Sequence, residues 1–556
     1  MTQNTKIVIG IDFGTTQTTA CFIDSQTQKI ELIHDETNSP QYASMLSFQQ
    51  GKYNNLCQFG NSVKNNAFAK LVIQEAKRFI GEEYSDELAE MAEKLGMNIE
   101  CGDNGECVFV INDENDEENE LRFTAEELVS IQLKYIKDII LKRCSNANFS
   151  RVVMTVPSSF NIVRINAMKY AFELAGIQPY TIMKEPTAAL YEYKSIEPNR
   201  KMKKAFVVDI GGGTTDVCIC EPNGTTMNVK RHEGDPFLGG SDFDRIIQDI
   251  ILQQLEDNGY ENMNLFVRKG TETKKQTNER IKYTHRLKQE AERIKIELSE
   301  KNFSQVNFEK LLPLNDPFDN SITISRGDFE EKIRESGLLE KLEECIDECL
   351  SKANTRVKTI DTVILVGGVT YMPIIRKLIE NKFGQQKIVV DSNYKPLLAV
   401  AKGAARYANN YNLAASSSND LVEFVPESIG VEIEGNRMHP IAKKGDPTPI
   451  PHFEETFTTS RENQTSIEFV LKKGESPFPM DNEYITEYQI TIPQAPIGKI
   501  RVTLHIDIEK SGNMVVKAIQ HGSNQQGVEK RVSCGFNQTD ENFKESLDKI
   551  KPYCPQ

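Results

Sequence analysis

Histidine is scarce in this chain, seven among 556 residues, and no CxxC pair occurs among its eleven scattered cysteines. Nitrogen–sulfur metal sites need such clusters, so none is expected. Cys101 and Cys107 flank a turn, and Cys345 and Cys349 stand one helical turn apart; the expectation is reduced thiols in the cytosol. No run of about 18 apolar residues occurs, so no membrane span is expected. The start, MTQNTKIVIGIDFG, lacks the layout of a secretory signal, and the end, KPYCPQ, matches no retention or lipidation signal. Surplus positive charge is missing too. The net charge is −15, which argues against nucleic acid and against anionic membranes as partners. Nor is there a GxxxxGK[ST] motif, so any phosphate site is not of the P-loop kind.

What is present fits a soluble globular chain of several domains: 38% hydrophobic and 26% charged residues over a length that exceeds one typical domain. Up to about residue 410, strand-like and helix-like segments alternate, as in α/β domains. Helices are expected over 125–144, over 161–176 with Gly176 as the stop, and over 286–300; a strand is expected over 151–157. The acidic run DENDEENE at 113–120 reads as a solvated loop. A small, polar stretch near 409–420 reads as a linker. Beyond it, short strands recur between Gly, Pro and Asn signals (IGVEIEG, TSIEFVLKKG, EYQITI, IRVTLHIDI, MVVKAIQ), the pattern of a β-sandwich. After 535 only FKESLDKI has a helical pattern.

Two segments share one design. IVIGIDFGTTQTT (7–19) and FVVDIGGGTTDVCI (206–219) are each an apolar strand, an aspartate, a glycine turn, two threonines and a second strand. An internal duplication is the simple explanation. The turn glycines, Gly14 in one and Gly211, Gly212 and Gly213 in the other, let backbone N–H groups converge on an anion. Thr15, Thr16, Thr214 and Thr215 offer hydroxyls to phosphate oxygens. Asp12 and Asp209, at strand ends, suit Mg²⁺ held through its waters. In a third glycine element, TVILVGGVTYMPIIRKLIENKF, a strand meets Gly367 and Gly368 before a helix, which suits close approach to a nucleoside.

The order of these elements resembles the actin-like ATPases, and specifically the heat-shock protein 70 (DnaK-type) chaperones. The motifs are IGIDFGTT (9–16), AKRFIG (76–81), TVPSSFN (155–161), KEPTAAL (184–190), VVDIGGGTTDV (207–217), FLGGSDFD (237–244), ERIKIELS (292–299) and ILVGGVTYMP (364–373). The resemblance implies a duplicated α/β actin-like ATPase domain over 1–410, a linker over 411–423, an all-β peptide-binding sandwich over 424–535, and a short tail over 536–556 with no helical lid. It implies ATP and ADP as ligands with Mg²⁺. Lys77, Glu185, Asp209 and Thr214 would be catalytic, and Asp12, Asp209 and Asp216 would serve the metal, partly through water. Gly239 and Gly240 would join the phosphate contacts. Glu292, Lys295 and Ser299, at i, i+3 and i+7 on one helix face, would meet the nucleoside. Pro157 would couple nucleotide state to domain movement.

The resemblance further implies an ATP-dependent chaperone of cytoplasmic protein folding and stress response. It would capture extended peptide segments at Ile433 and Ile467, with Ile429 beneath and a polar arch of Glu434 and Ser460. J-domain proteins and exchange factors are the implied co-chaperones. Departures weaken parts of this. Val369 and Tyr371 stand where the family has Ser and Arg, with Tyr371 able to stack on adenine, and Leu397 stands where it has Asp. Thr181 replaces a J-domain-docking arginine, and the linker keeps only Leu421 and Val422 before Glu423. Two rivals stay open: a nucleotide-sensing adaptor with negligible turnover, and an actin-fold phosphotransferase.

Overall fold

The computed structural model describes the chain apart from residues 1–5, 25–26, 50–55, 67–70, 114–115, 145–147, 179, 199–201, 224–225, 269–271, 314–315, 317, 319–320, 390–392, 414–422, 425–427, 444–446, 449, 509–513, 523–528, 533–539 and 556. Leu421 and Val422 lie outside the described residues. The chain forms two compact units. The first comprises residues 1–159, 170–419 and 539–556; the second, residues 160–169 and 420–538. Among the described residues no helix is long and apolar enough to cross a membrane.

In the first unit, one sheet runs in the order Tyr180–Lys184, Asn148–Val156, Lys6–Phe13, Gln17–Ile23 and Ile30–Leu32. Lys6–Phe13 pairs parallel with Asn148–Val156 and antiparallel with Gln17–Ile23. A second sheet runs Thr226–Asp235, Thr215–Asn223, Ala205–Ile210 and Thr362–Val366. Here too the first strand of a hairpin, Ala205–Ile210, has a parallel neighbour on its other side. Ala205–Ile210 and Thr362–Val366 are buried at every position, as parallel strands covered on both faces require.

Helices form where capping signals precede apolar periodicity. Ala125–Arg143 opens on a capping box in which Glu127 N–H donates to Thr124 Oγ1 at 3.3 Å and Thr124 N–H to Glu127 Oε2 at 3.0 Å. Pro186 and Pro373 sit in the first turns of Glu185–Ile196 and Pro373–Phe383, where a missing N–H costs nothing. The helix expected over 286–300 runs from Lys274 to Glu300, begun by a second capping box at Thr273 and Gln276. Of the acidic run expected as a loop, Asp113 and residues 116–120 belong instead to two paired strands, Cys107–Asp113 and Asp116–Thr124. Backbone pairing needs no apolar side chains, and the register shifts between Asp116 and Leu121, where the acids concentrate.

The chain's end also belongs to the first unit. Helix Asp540–Ile550 and the turn Lys551–Tyr553 lie against the Ala125–Arg143 helix and its neighbours. Tyr553 is buried, with its ring edge-on to Phe48 at 5.5 Å and to Phe123 at 5.3 Å. Ile550 is fully buried, and Phe543 meets Tyr170 at 5.7 Å. Lys549 Nζ donates to Glu127 Oε2 at 2.7 Å, so the carboxylate that caps one helix also anchors another.

Among the described residues the second unit contains two four-stranded antiparallel sheets and the short pair Glu423–Phe424 with Pro447–Thr448. One four-stranded sheet is ordered Arg437–Ala442, Ile429–Ile433, Ser466–Lys473 and Glu483–Thr491; the other Ile450–Thr458, Arg501–Ile508, Met514–Gln520 and Glu529–Val532. Ser466–Lys473 alternates exposed and buried positions along its first half, and Val431, Phe469, Leu471, Val502, Leu504 and Val516 fill the shared core.

Tyr553→Ala is expected to cost the first unit about 3–5 kcal/mol, the range for removing a buried aromatic ring. Faster amide exchange in helix Ala125–Arg143 would report it; an unchanged exchange profile would show that the tail adds nothing to this unit.

Candidate functional site

The two hairpin turns touch. A Cβ on Gly212 would lie 2.0 Å from Thr16 Oγ1, and one on Gly213 would lie 2.6 Å from Thr15 Cγ2. Helix Gly240–Asp257 begins against the second turn: Gly240 N–H donates to Gly211 O at 2.9 Å, and Ser241 N–H to Gly212 O at 2.8 Å. The third glycine element closes from the other side. Gly367 has φ +80°, and a Cβ there would stand 2.2 Å from Ile210 O. Around these turns lies a cleft of about 590 Å³ within the first unit.

One end of the cleft is acidic. Asp12, Glu185 and Asp209 line it beside Lys77, Gly14, Thr15, Thr16 and Thr214. Lys77 Nζ is buried and donates to Phe13 O at 2.5 Å and Glu185 Oε1 at 3.0 Å. Burial, and then Glu185, push Asp12 up to about 7, against the pull of Lys77. Burial, then Glu185, Asp216 and Asp12, raise Asp209 well above the usual carboxylate range. Asp209 also faces Asp216 directly across the hairpin, and its Oδ2 has no hydrogen-bond partner among the described residues. Like charges so placed repel. A cation would relieve this end, and its carboxylates suit a hydrated Mg²⁺. Among the described residues no group of three or more His, Cys, Asp or Glu side chains is placed to hold a metal ion directly.

Some expected residues are not brought to the cleft. Thr215 is fully buried and its hydroxyl donates to Leu238 O at 2.8 Å, so that hydroxyl is already used. Strand alternation carries the reason, since Thr215 and Asp216 point to opposite faces. Asp216 is buried and does not line the cleft. Its Oδ1 accepts from Ser159 N–H at 2.7 Å, while burial and Glu185 push it up to about 7. Gly213 and Gly239 pack against each other and the first turn instead of lining the cleft.

Glu292, Lys295, Ser299, Gly240, Gly367, Gly368 and Tyr371 do line it. Ion pairs fix two of the helix residues among them. Lys64 Nζ meets Glu292 at 2.7 Å, and Lys295 Nζ meets Asp244 at 2.7 Å and donates to Gly240 O at 2.9 Å. Burial would raise Glu292, but Lys64 and then Lys295 lower it.

Sequence reasoning missed the group that holds Lys77 in place. The turn Ala76–Arg78 follows Glu75 in the left-handed region, at φ 54°. Glu75 is 1% exposed and joins Arg78 at 2.6 Å, Lys288, and the Ser241 hydroxyl at 2.5 Å. Burial pushes Glu75 up, yet Lys288 and then Arg78 outweigh it and hold the carboxyl down at about 2. The partners lie as far as 213 positions apart, so no local pattern announced them.

The family model described as Hsp70 protein matches residues 8–549. The chain belongs to the Hsp70 family. Hsp70 proteins are generally ATPases that bind ATP and ADP with Mg²⁺, and the family suggests ATP-dependent chaperone activity. It also implies an actin-like ATPase followed by a β-sandwich. The acidic end of this Hsp70 cleft accords with that ligand, since its carboxylates need a cation and its glycine turns leave room for phosphates.

Glu75→Gln is expected to destabilise the first unit by about 3–5 kcal/mol, because it strands buried cations. The wild-type carboxyl is lowered on folding, so its contribution is full above the unfolded value of 4.5 and is lost as pH falls towards about 2. Urea midpoints measured between those limits should therefore fall more steeply for wild type than for Glu75→Gln. Parallel pH profiles would contradict this account of Glu75.

Proposed function

We propose that this chain hydrolyses ATP to ADP and phosphate in the cleft of its first unit, and that nucleotide state controls capture of extended peptide segments by its second unit. The observation that carries the proposal is the meeting of two aspartate-ended glycine hairpins around Lys77 and Glu185. The two hairpin sheets are copies of one ancestral unit in this reading. Residues 1–410 then form the nucleotide domain and 424–535 the peptide domain.

The turn amides and the Thr15, Thr16 and Thr214 hydroxyls would receive phosphate oxygens. Lys77, buried and already oriented by Phe13 O and Glu185, would place positive charge where the transferred phosphoryl group gathers negative charge. Glu185 would order the attacking water through its remaining oxygen. Asp12 and Asp209 would hold Mg²⁺ through its waters, with Asp216 supporting them. Mg²⁺, when bound, neutralises phosphate charge. Each contribution is electrostatic positioning, as phosphoryl transfer requires.

In the second unit Ile429 and Ile467 belong to the core, while Ile433 packs against it partly exposed. Ile429–Ile433 pairs antiparallel with Ser466–Lys473, from Ile429↔Lys473 to Val431↔Leu471, so the turn after Ile433 and the loop before Ser466 leave the sheet at the same end. Glu434 and Ser460 are exposed on those two connections. A peptide strand held there by main-chain hydrogen bonds, with Ile433 and Ile467 at one apolar pocket, is the binding mode we propose. Among the described residues the helix that follows the sandwich, Asp540–Ile550, packs within the first unit. Peptide would then exchange quickly in both nucleotide states. J-domain proteins and exchange factors are the proposed co-chaperones. A second reading, a nucleotide-sensing adaptor with negligible turnover, is favoured by Thr181 at the position where family members carry a J-domain-docking arginine.

Lys77→Ala should leave ATP bound and slow single-turnover cleavage at least tenfold, about 1.4 kcal/mol in the barrier. Parental cleavage by the variant would remove Lys77 from the mechanism. Absence of cleavage in wild type, with ATP bound, would favour the adaptor. A labelled extended peptide should dissociate within minutes with either ADP or ATP bound; retention for hours with ADP would contradict the open groove.

A further inference from the structure

The cleft is acidic at one end and carries exposed apolar side chains elsewhere. Three of the large apolar side chains that the first unit exposes line this same cavity: Ile296 at 54%, Tyr371 at 45% and Leu397 at 36%. Such residues are normally scattered singly over a surface, so their convergence on one cavity calls for an explanation. They come from three separate places, the helix Lys274–Glu300, the turn Gly368–Tyr371 and the segment after Pro396. Leu397 closes on the glycine turn, since a Cβ on Gly368 would lie 3.2 Å from Leu397 Cδ2.

The polar side chains beside them are already engaged. Glu292 pairs with Lys64, and Lys295 with Asp244 and the Gly240 carbonyl. The Ser299 hydroxyl donates to Lys295 O at 3.1 Å, which leaves it only acceptor capacity. Glu300, exposed at the rim, adds a carboxylate, also an acceptor. A base entering here meets an aromatic ring and two aliphatic side chains. Lys295 spends two of its three N–H groups on Asp244 and Gly240, and the Ser299 oxygen and the Glu300 carboxylate can accept, so the edge offers either purine both a donor and acceptors.

We propose that Ile296, Tyr371 and Leu397 form an apolar slot that holds a purine by its faces, so that adenine and guanine nucleotides bind with similar affinity. This rests on the nucleotide reading above. Strong discrimination arises when a site's buried donors and acceptors are left unpaired by the wrong ligand, whereas apolar pockets separate similar shapes weakly. The two purines offer nearly equal faces to Tyr371. A pyrimidine offers less area and should bind more weakly.

The test is calorimetric titration of the nucleotide-free full chain, in excess Mg²⁺, with ADP, GDP and CDP. The slot predicts Kd values for ADP and GDP within about tenfold of each other, below the discrimination a hydrogen-bonding site would give, and a weaker Kd for CDP. Tyr371→Ala and Ile296→Ala should each weaken ADP and GDP by the same factor, at least about fivefold, a modest share of one buried side chain's worth. Tyr371→Phe should restore purine binding, because the ring face is what the base meets. Ile296→Ala keeps the helix intact, since alanine is the best helix former. A preference for ADP beyond tenfold overturns the slot, as does unchanged ADP affinity in both alanine variants; either leaves the nucleotide reading standing. Failure of all three diphosphates to bind overturns both.

Discussion

The Cβ that Gly212 lacks would stand 2.0 Å from the Thr16 hydroxyl, and much of the first unit depends on that approach. Because two strand turns meet there, the aspartates that end their first strands share one cleft. The same contact places the start of helix Gly240–Asp257, whose first amides donate to the second turn. Gly367, in a backbone conformation that side chains rarely adopt, then brings a third strand end against Ile210. A side chain at any of these points would push the walls apart and separate the charges that give the cleft its chemistry.

Those charges are costly to keep. Glu185, Asp209 and Asp216 are buried and Asp12 is half-buried, and desolvation with mutual repulsion raises the three aspartates. Lys77 offsets part of this and is itself held by a turn that Glu75 fixes to Arg78 and Lys288. The arrangement is thus two-layered. An outer ion cluster, in which Glu75 and Asp242 face Arg78 and Lys288, stiffens the turn; the inner acidic cluster is left unbalanced. Buried charges of this kind are a poor source of stability, which is why they concentrate where chemistry needs them.

How much was legible follows from how local each feature is. The two hairpins, Asp12, Asp209 and the glycines could be read because strand, turn and strand are contiguous. Strand alternation turns Thr215 away from Asp216, and its hydroxyl donates to Leu238 O, a partner that local sequence does not show. The acidic run at 113–120 was read from composition, but a strand pair is set by its backbone partner, here Cys107–Asp113. Glu75 with Lys288, Lys64 with Glu292, and Tyr553 with Phe48 join residues hundreds of positions apart, and no periodicity announces such pairs. The apolar slot was half visible, in Tyr371 and Leu397; Ile296 joined them only once its helix was placed against the turn.

The central claim is that the acidic end of the cleft is built for a cation together with phosphate. Its most direct measurement is ADP affinity by calorimetry with Mg²⁺ and with Mg²⁺ removed by EDTA, in wild type and in Asp209→Asn. The account predicts that wild type binds ADP at least about tenfold more tightly with Mg²⁺, as cancelling one close like-charge repulsion allows, and that Asp209→Asn loses most of this dependence. Equal ADP affinity with and without Mg²⁺ in wild type would contradict it.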